Sequence, residues 1–171
     1  MEKQQHSHSH PHSRSIVVDC AIVTISDTRN FENDHSGAVI KSKLTSANHN
    51  ISSYTIIPDD PQKIEDTIET LANDNSIQAI ITTGGTGLSP RDNTPDVLQR
   101  MLQKELTGFG EIFRFLSYQE IGSKAIASRA IAGVYERTII FALPGSKNAV
   151  TLALDKLILP EISHLVTVMK G

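Results

Sequence analysis

The sequence predicts an α/β protein with a mostly parallel sheet, and three observations carry that prediction. Apolar, β-branched runs alternate with helical apolar patterns in the order strand, helix, strand, helix, strand, helix. The first apolar run, 16–25, lacks the polar alternation of a half-exposed strand, as expected of one covered on both faces. Two later runs end at glycines in polar loops that open new helices. Strands interleaved with helices in this way pair in parallel through right-handed crossovers. The 171 residues suit a single domain with enough interior to fold unaided.

Residues 1–15 hold His6, His8, His10 and His12 among Ser, Gln and Pro, with almost nothing to bury, so a disordered tail is expected there and the domain is assigned to 16–171. Alternating imidazoles could take up a transition metal, but without carboxylate or thiolate partners they read as a solvated tail and are given no part in the chemistry. After the strand at 16–25 comes Ser26-Asp27, on the edge where open α/β sheets bind ligands; Asp27 is a candidate contact, its competing role that of a turn former. A helix over 36–47 offers Val39, Ile40 and Leu44 to the sheet, and a second strand spans 51–57. Asp60, directly before Pro61, caps a helix whose apolar face is Ile64, Ile68, Leu71 and Ala72. That leaves Asp59 without a structural duty at a strand end, to be read as a site acid or a solvated loop acid.

The third strand, 77–83, feeds Thr83-Gly84-Gly85-Thr86-Gly87, and Thr94-Pro95 reads as a cap and first turn for a helix bearing Val97, Leu98, Met101 and Leu102. Glycine lets backbone N–H groups face a ligand that a β-carbon would hold off, which makes a seat for phosphate. Arg91 can donate a bidentate hydrogen bond to such a phosphate, while the carboxylate of Asp92 would repel it unless a cation lies between. The pattern ending in Gly-Lys-Ser/Thr fails here because no lysine follows Gly87, and the three-glycine dinucleotide pattern fails at Pro90. A plain tight turn is outweighed by four small residues followed by Arg91 and Asp92. A helix over 108–121 is apolar around much of its circumference, so it is deeply packed or touches a second subunit. The runs 128–134 and 138–143 read as a hairpin or two nearby strands. Pro144-Gly145-Ser146 then repeats the strand, small loop and helix start, with Ser146 as cap, and a last helix over 160–169 turns Ile162, Leu165, Val166 and Met169 inward.

Composition excludes several function classes. With 16 basic against 19 acidic residues, net charge −3 and no basic run, neither nucleic acid nor an anionic membrane is an expected partner. One cysteine, Cys20, rules out an internal disulfide and fits a reducing cytoplasm. No apolar segment reaches bilayer length and no signal-peptide core is present, so a soluble, cytoplasmic protein is expected.

Together Thr83-Gly84-Gly85-Thr86-Gly87, Arg91-Asp92-Asn93-Thr94-Pro95-Asp96, Gly108-Phe109-Gly110-Glu111, Ser128-Arg129-Ala130 and Leu143-Pro144-Gly145-Ser146 closely resemble the MoaB/Mog family of molybdenum cofactor biosynthesis proteins, over 16 to about 169. The stretch 113–123 resembles the MoaB branch. The resemblance implies a three-layer α/β/α fold, trimers or hexamers, and molybdopterin held by its terminal phosphate on the Gly84 to Gly87 loop. It further implies transfer of AMP from ATP to that phosphate with magnesium, and possible contacts with other enzymes of the pathway. By position, Asp59 and Asp92 match the family's two essential acids, expected to hold magnesium through the nucleotide. Ser26, Asp27, Thr83, Arg91, Pro144, Gly145 and Ser146 are expected to complete the pterin and nucleotide sites. The alternative is a molybdopterin delivery or scaffold protein that does not use ATP.

Overall fold

The computed structural model describes residues 16–171; the histidine-rich segment lies outside them. The six-stranded sheet is built outward from β1 (Asp19–Ile25), which pairs in parallel with β2 (Asn50–Ile57) and with β3 (Ala79–Thr83). β6 (Thr138–Leu143) continues the parallel set beside β3, and β5 (Ile131–Tyr135) and β4 (Lys104–Glu105) follow antiparallel, in the order β2-β1-β3-β6-β5-β4.

Side-chain alternation along the central strands divides the core in two. On one face Cys20, Ile22, Ile81 and Phe141 pack with α1 (His35–Ser46), α4 (Thr107–Ile121), α5 (Lys147–Ala153) and α6 (Leu159–Met169), represented by Ile40, Phe113, Val150 and Ile162. On the other, Ala21, Val23, Ile80 and Ile140 meet α2 (Pro61–Ala72) and α3 (Thr94–Met101) through Ile64, Ile68, Val97 and Leu98. The result is the expected three-layer α/β/α sandwich, and a strand with both faces covered needs the uninterrupted apolar run seen at β1. Cys20 sits in the first cluster, where burial, reinforced by the neighbouring charge of Asp19, pushes its thiol up to about 12 and leaves it inert.

Three elements differ from the sequence reading. β4 is two exposed charged residues, too short for periodicity to reveal, and its approach is made possible by Gly133, where a β-carbon would stand 2.4 Å from the Lys104 carbonyl oxygen. The predicted hairpin starts late, because residues 122–127 form a 3₁₀-helix and pairing begins only at Ile131. α5 does not stop before α6: a π-turn over Leu154–Ile158 joins them, since Pro160 has no N–H for a regular α-turn and its ring crowds the carbonyl four residues back. Among the described residues, no helix is long and apolar enough to cross a membrane.

His49 ties the start of β1 to the end of α1. Its Nδ1 accepts from the Val18 N–H at 3.2 Å in a buried position, so the ring must be neutral, and burial lowers its pKa. A histidine whose folded pKa is lowered contributes stability that is complete above its unfolded pKa, about 6.5, and is lost as pH falls through the folded value. Denaturant unfolding between pH 7.5 and 5 is expected to show the native protein losing stability faster than a His49→Gln variant, whose amide oxygen can accept without titrating; parallel curves would remove this role.

Candidate functional site

β1, β3 and β6 end side by side, with Thr24 in register with Thr83 and Thr83 with Leu143. Parallel strands therefore deliver the loops that follow them to one edge, and these loops surround a cavity of about 710 Å³. Every nominated residue lines it: Ser26 and Asp27 after β1, Asp59 after β2, Thr83, Gly84, Gly85, Thr86, Gly87, Arg91 and Asp92 after β3, and Pro144, Gly145 and Ser146 after β6.

Gly84 packs where no side chain fits. It has φ +101°, and a β-carbon would lie 2.2 Å from the carbonyl oxygen of Ile25, the last residue of β1. Its N–H donates to Leu143 O at 3.0 Å, while Thr83 Oγ1 donates to Pro144 O at 3.1 Å, so the two small-residue loops are stitched together at their roots. Gly85, at φ +61°, passes as closely by Thr94 and Asp59, with a β-carbon falling 2.6 Å from Asp59 Oδ2. Thr94 does not cap α3, as the sequence suggested. Asn93 stands at the cap position without a side-chain bond, and the Thr94 hydroxyl donates instead to Gly84 O at 3.1 Å as its N–H donates to Gly85 O at 3.0 Å. The bent loop exposes carbonyls that would otherwise be unpaired, and their demand outweighs a cap. Ser146 does cap α5, accepting from Ala149 N.

The acids are held by main-chain donors. Asp59 Oδ1 accepts from Asn93 N at 3.2 Å, and Asp92 Oδ2 accepts from Ser89 N at 2.9 Å. Asp59 thus has a structural contact that its sequence position did not announce. Its own N–H donates to Asp27 Oδ1 at 3.3 Å, and Asp27 Oδ2 pairs with Arg91 at 2.6 Å. Burial raises the Asp59 pKa, the charges of Asp92 and Asp27 add to the rise, and the Asn93 hydrogen bonds oppose it. Among the described residues no group of three or more His, Cys, Asp or Glu could hold a metal ion by itself. Two carboxylates beside the glycine loop, Asp59 near Gly85 and Asp92 near Gly87, suit a hard dication such as magnesium, which takes one or two acids and fills its remaining positions with phosphate oxygens and water.

Several lining residues were not singled out from the sequence. Asp34, 3% exposed, caps α1 through Gly37 N at 2.9 Å and accepts from Thr24 Oγ1 and Tyr54 Oη, each at 2.5 Å. Burial, with the Asp34 bond, drives the Tyr54 phenol far above its usual range. Ser36 donates to Gly145 O at 2.7 Å, linking α1 to the second loop. The far wall is Phe113, Ser117, Lys124 and Ser128, and the Ser128 hydroxyl is buried without a protein partner. Arg129, next in the chain, donates to Asp92 O at 3.3 Å and pairs with Asp96 at 2.5 Å. An Asp just ahead of the first helix was a readable cap signal; the Arg129 side-chain contacts span 33 residues or more, beyond the reach of a local pattern.

The family described as "Probable molybdopterin binding domain" matches residues 21–164. Molybdenum cofactor biosynthesis protein B of Staphylococcus epidermidis is 48% identical over 170 residues, covering 97% of this chain and 95% of the relative. A crystal structure of Molybdenum cofactor biosynthesis protein B superposes with TM-score 0.90 at 43% identity, covering 92% of this chain and 99% of that one. The molybdopterin biosynthesis enzyme MoaB from Thermus thermophilus gives TM-score 0.80 at 31% identity, over 91% of this chain and 98% of its own.

The raised Asp59 pKa carries a consequence for stability. A carboxyl whose folded pKa lies above its unfolded value, 3.8, stabilises the fold while protonated and loses that contribution as pH rises through the folded value. Replacing it by a neutral isostere is therefore expected to help the free protein at neutral pH. Asp59→Asn should melt higher than the native chain at pH 7, with the gap closing as pH falls toward the carboxyl's own titration; a variant that melts lower at pH 7 would contradict it.

Proposed function

The chain belongs to the MoaB/Mog family of molybdenum cofactor biosynthesis proteins and carries their molybdopterin-binding domain, and on that premise we propose that it transfers AMP from ATP to the terminal phosphate of molybdopterin. The observation that supports this reading most is the meeting, in one cavity, of a phosphate seat and two acids: Gly84 to Gly87 beside Asp59 and Asp92. A site that only gripped an anion would not line its seat with carboxylates.

In this reading the backbone N–H groups of 85–87 and the Arg91 guanidinium hold the acceptor phosphate, the Gly84 N–H being taken by Leu143 O, and the loops at Ser26-Asp27 and Pro144-Gly145-Ser146 place the nucleotide. Holding both in line replaces a bimolecular encounter between two polyanions by an oriented one. An acceptor phosphate oxygen attacks the α-phosphorus of ATP; that P–O bond forms, the bond to the β-phosphate oxygen breaks, and pyrophosphate leaves. The dianionic acceptor has no proton to lose, so no general base and no covalent enzyme intermediate are needed. Asp59 and Asp92 would hold magnesium through the nucleotide; when bound, it offsets the charge that builds on the transferred phosphoryl oxygens. Asp34, whose oxygens are occupied by Thr24, Tyr54 and Gly37, fixes the cavity floor instead. The inert thiol of Cys20 suits work in a reducing cytoplasm.

We also propose that the chain works as a homo-oligomer of three or six copies. Ile112, Phe115, Tyr118 and Ile121 form an exposed apolar stripe on α4, with Phe115 62% and Tyr118 61% exposed, and Ile126 beside it. Such a contiguous patch on a chain of this size marks an association surface. Sedimentation of a Phe115→Asp variant is expected to give monomers where the native chain gives a larger species; native monomers, or unchanged assembly in the variant, would remove the proposal.

Incubation with molybdopterin and magnesium ATP is expected to yield pyrophosphate and the adenylylated pterin. Asp59→Asn and Asp92→Asn should each keep pterin affinity while losing on the order of a hundredfold or more in turnover. Tight pterin binding by the native chain with no nucleotide turnover would favour a delivery protein.

A further inference from the structure

Arg91 is the cavity's exposed guanidinium on the phosphate side, yet it is already engaged by a carboxylate. It reaches from the glycine loop to Asp27 Oδ2 at 2.6 Å, with side chains 74% and 33% exposed. The second Asp27 oxygen accepts from the Asp59 N–H at 3.3 Å, so the loop after β2 orients the carboxylate toward Arg91. The pair bridges the loops after β1 and β3, and both partners line the cavity.

We propose that Asp27 is a specificity-determining residue that occupies the place of the acceptor phosphate on Arg91, so that the site admits a phosphate dianion and refuses carboxylates and other monoanions. The inference rests on the reading of the N–H groups of 85–87 and Arg91 as a phosphate seat. A monoanionic carboxylate that displaces Asp27 replaces one carboxylate by another and gains nothing at the guanidinium. A phosphate dianion brings a second charge and a third oxygen, and it can take two Arg91 donors while the glycine-loop N–H groups take the remainder. Because the ion pair is largely solvated it is weak enough to be displaced. Asp27 then turns away toward solvent or toward the cation that accompanies the nucleotide. An arginine already compensated also costs the free protein no unpaired charge beside its glycine loop.

The test is binding without metal, nucleotide or turnover: titration of the native chain, Asp27→Asn and Arg91→Gln with inorganic phosphate and with acetate at pH 8, read by calorimetry and by the Arg91 side-chain NMR resonance. An asparagine oxygen can still accept from the Asp59 N–H, so the loop is retained, and melting temperatures verify it. The native chain is expected to bind phosphate and show no saturable acetate binding. Asp27→Asn should bind phosphate two- to fivefold more tightly, gain measurable acetate binding, and so lose selectivity between them; Arg91→Gln should bind neither. Native phosphate binding that Arg91→Gln abolishes, combined with an unchanged phosphate-to-acetate ratio in Asp27→Asn, would overturn this inference and leave the seat standing. No saturable phosphate binding by the native chain would overturn both.

Discussion

The site depends on one close approach. The main chain at Gly84 passes so near the terminal carbonyl of β1 that a single β-carbon would collide with Ile25 O, and at this contact the loop after β3 settles onto the end of the neighbouring strand. Fixed there, the loop can be stitched to Leu143 and Pro144 on one side and to Thr94 on the other. Those bonds determine where the N–H groups of the loop point. Parallel pairing is the deeper cause: strands that run the same way end together, and only then can four loops from distant parts of the chain share one cavity.

The arrangement places acids where the bare fold would not choose them. Asp59 is partly withdrawn from water and lies within the influence of Asp92 and Asp27, and the free protein tolerates this through donors from Asn93 and the loop backbone. Asp34 sits deeper and is far better satisfied, with three donors around it, and it keeps the cavity floor rigid. One buried and one half-buried carboxylate, satisfied to different degrees, thus separate into different duties. The well-compensated one is structural, and the under-compensated one is available to a ligand.

How much of this the sequence reveals follows from the range over which each signal acts. The apolar run at 16–25, the Asp60 and Ser146 caps and the glycine loop are local patterns, and the structure carries them over nearly unchanged. Because every central strand in such a sheet is followed by a loop on the same edge, the strand ends alone were enough to collect the candidate residues around one cavity. What local patterns miss is set by tertiary demand. Thr94 looks like a cap until the unpaired carbonyls of Gly84 and Gly85 are counted, and Asp59 looks idle until Asn93 is folded over it. β4 is two charged residues recruited as an edge by the space that Gly133 leaves, which no periodicity could report.

Charge supplies the remaining step. Asp27, Asp34, Asp59 and Asp92 line the cavity against Arg29, Arg91 and Lys124, and the pairing of Asp27 with Arg91 cancels one of each. The glycine loop, which the proposed reaction would use to seat an anion, therefore stands in an environment that is, on balance, acidic. Such a site would bind phosphate more tightly with a dication between phosphate and carboxylates than without one. That coupling distinguishes a place where two phosphate-bearing molecules are joined from a place where one is stored: storage is best served by basic residues alone, whereas joining two polyanions requires that their mutual repulsion be met by a charge that arrives with them.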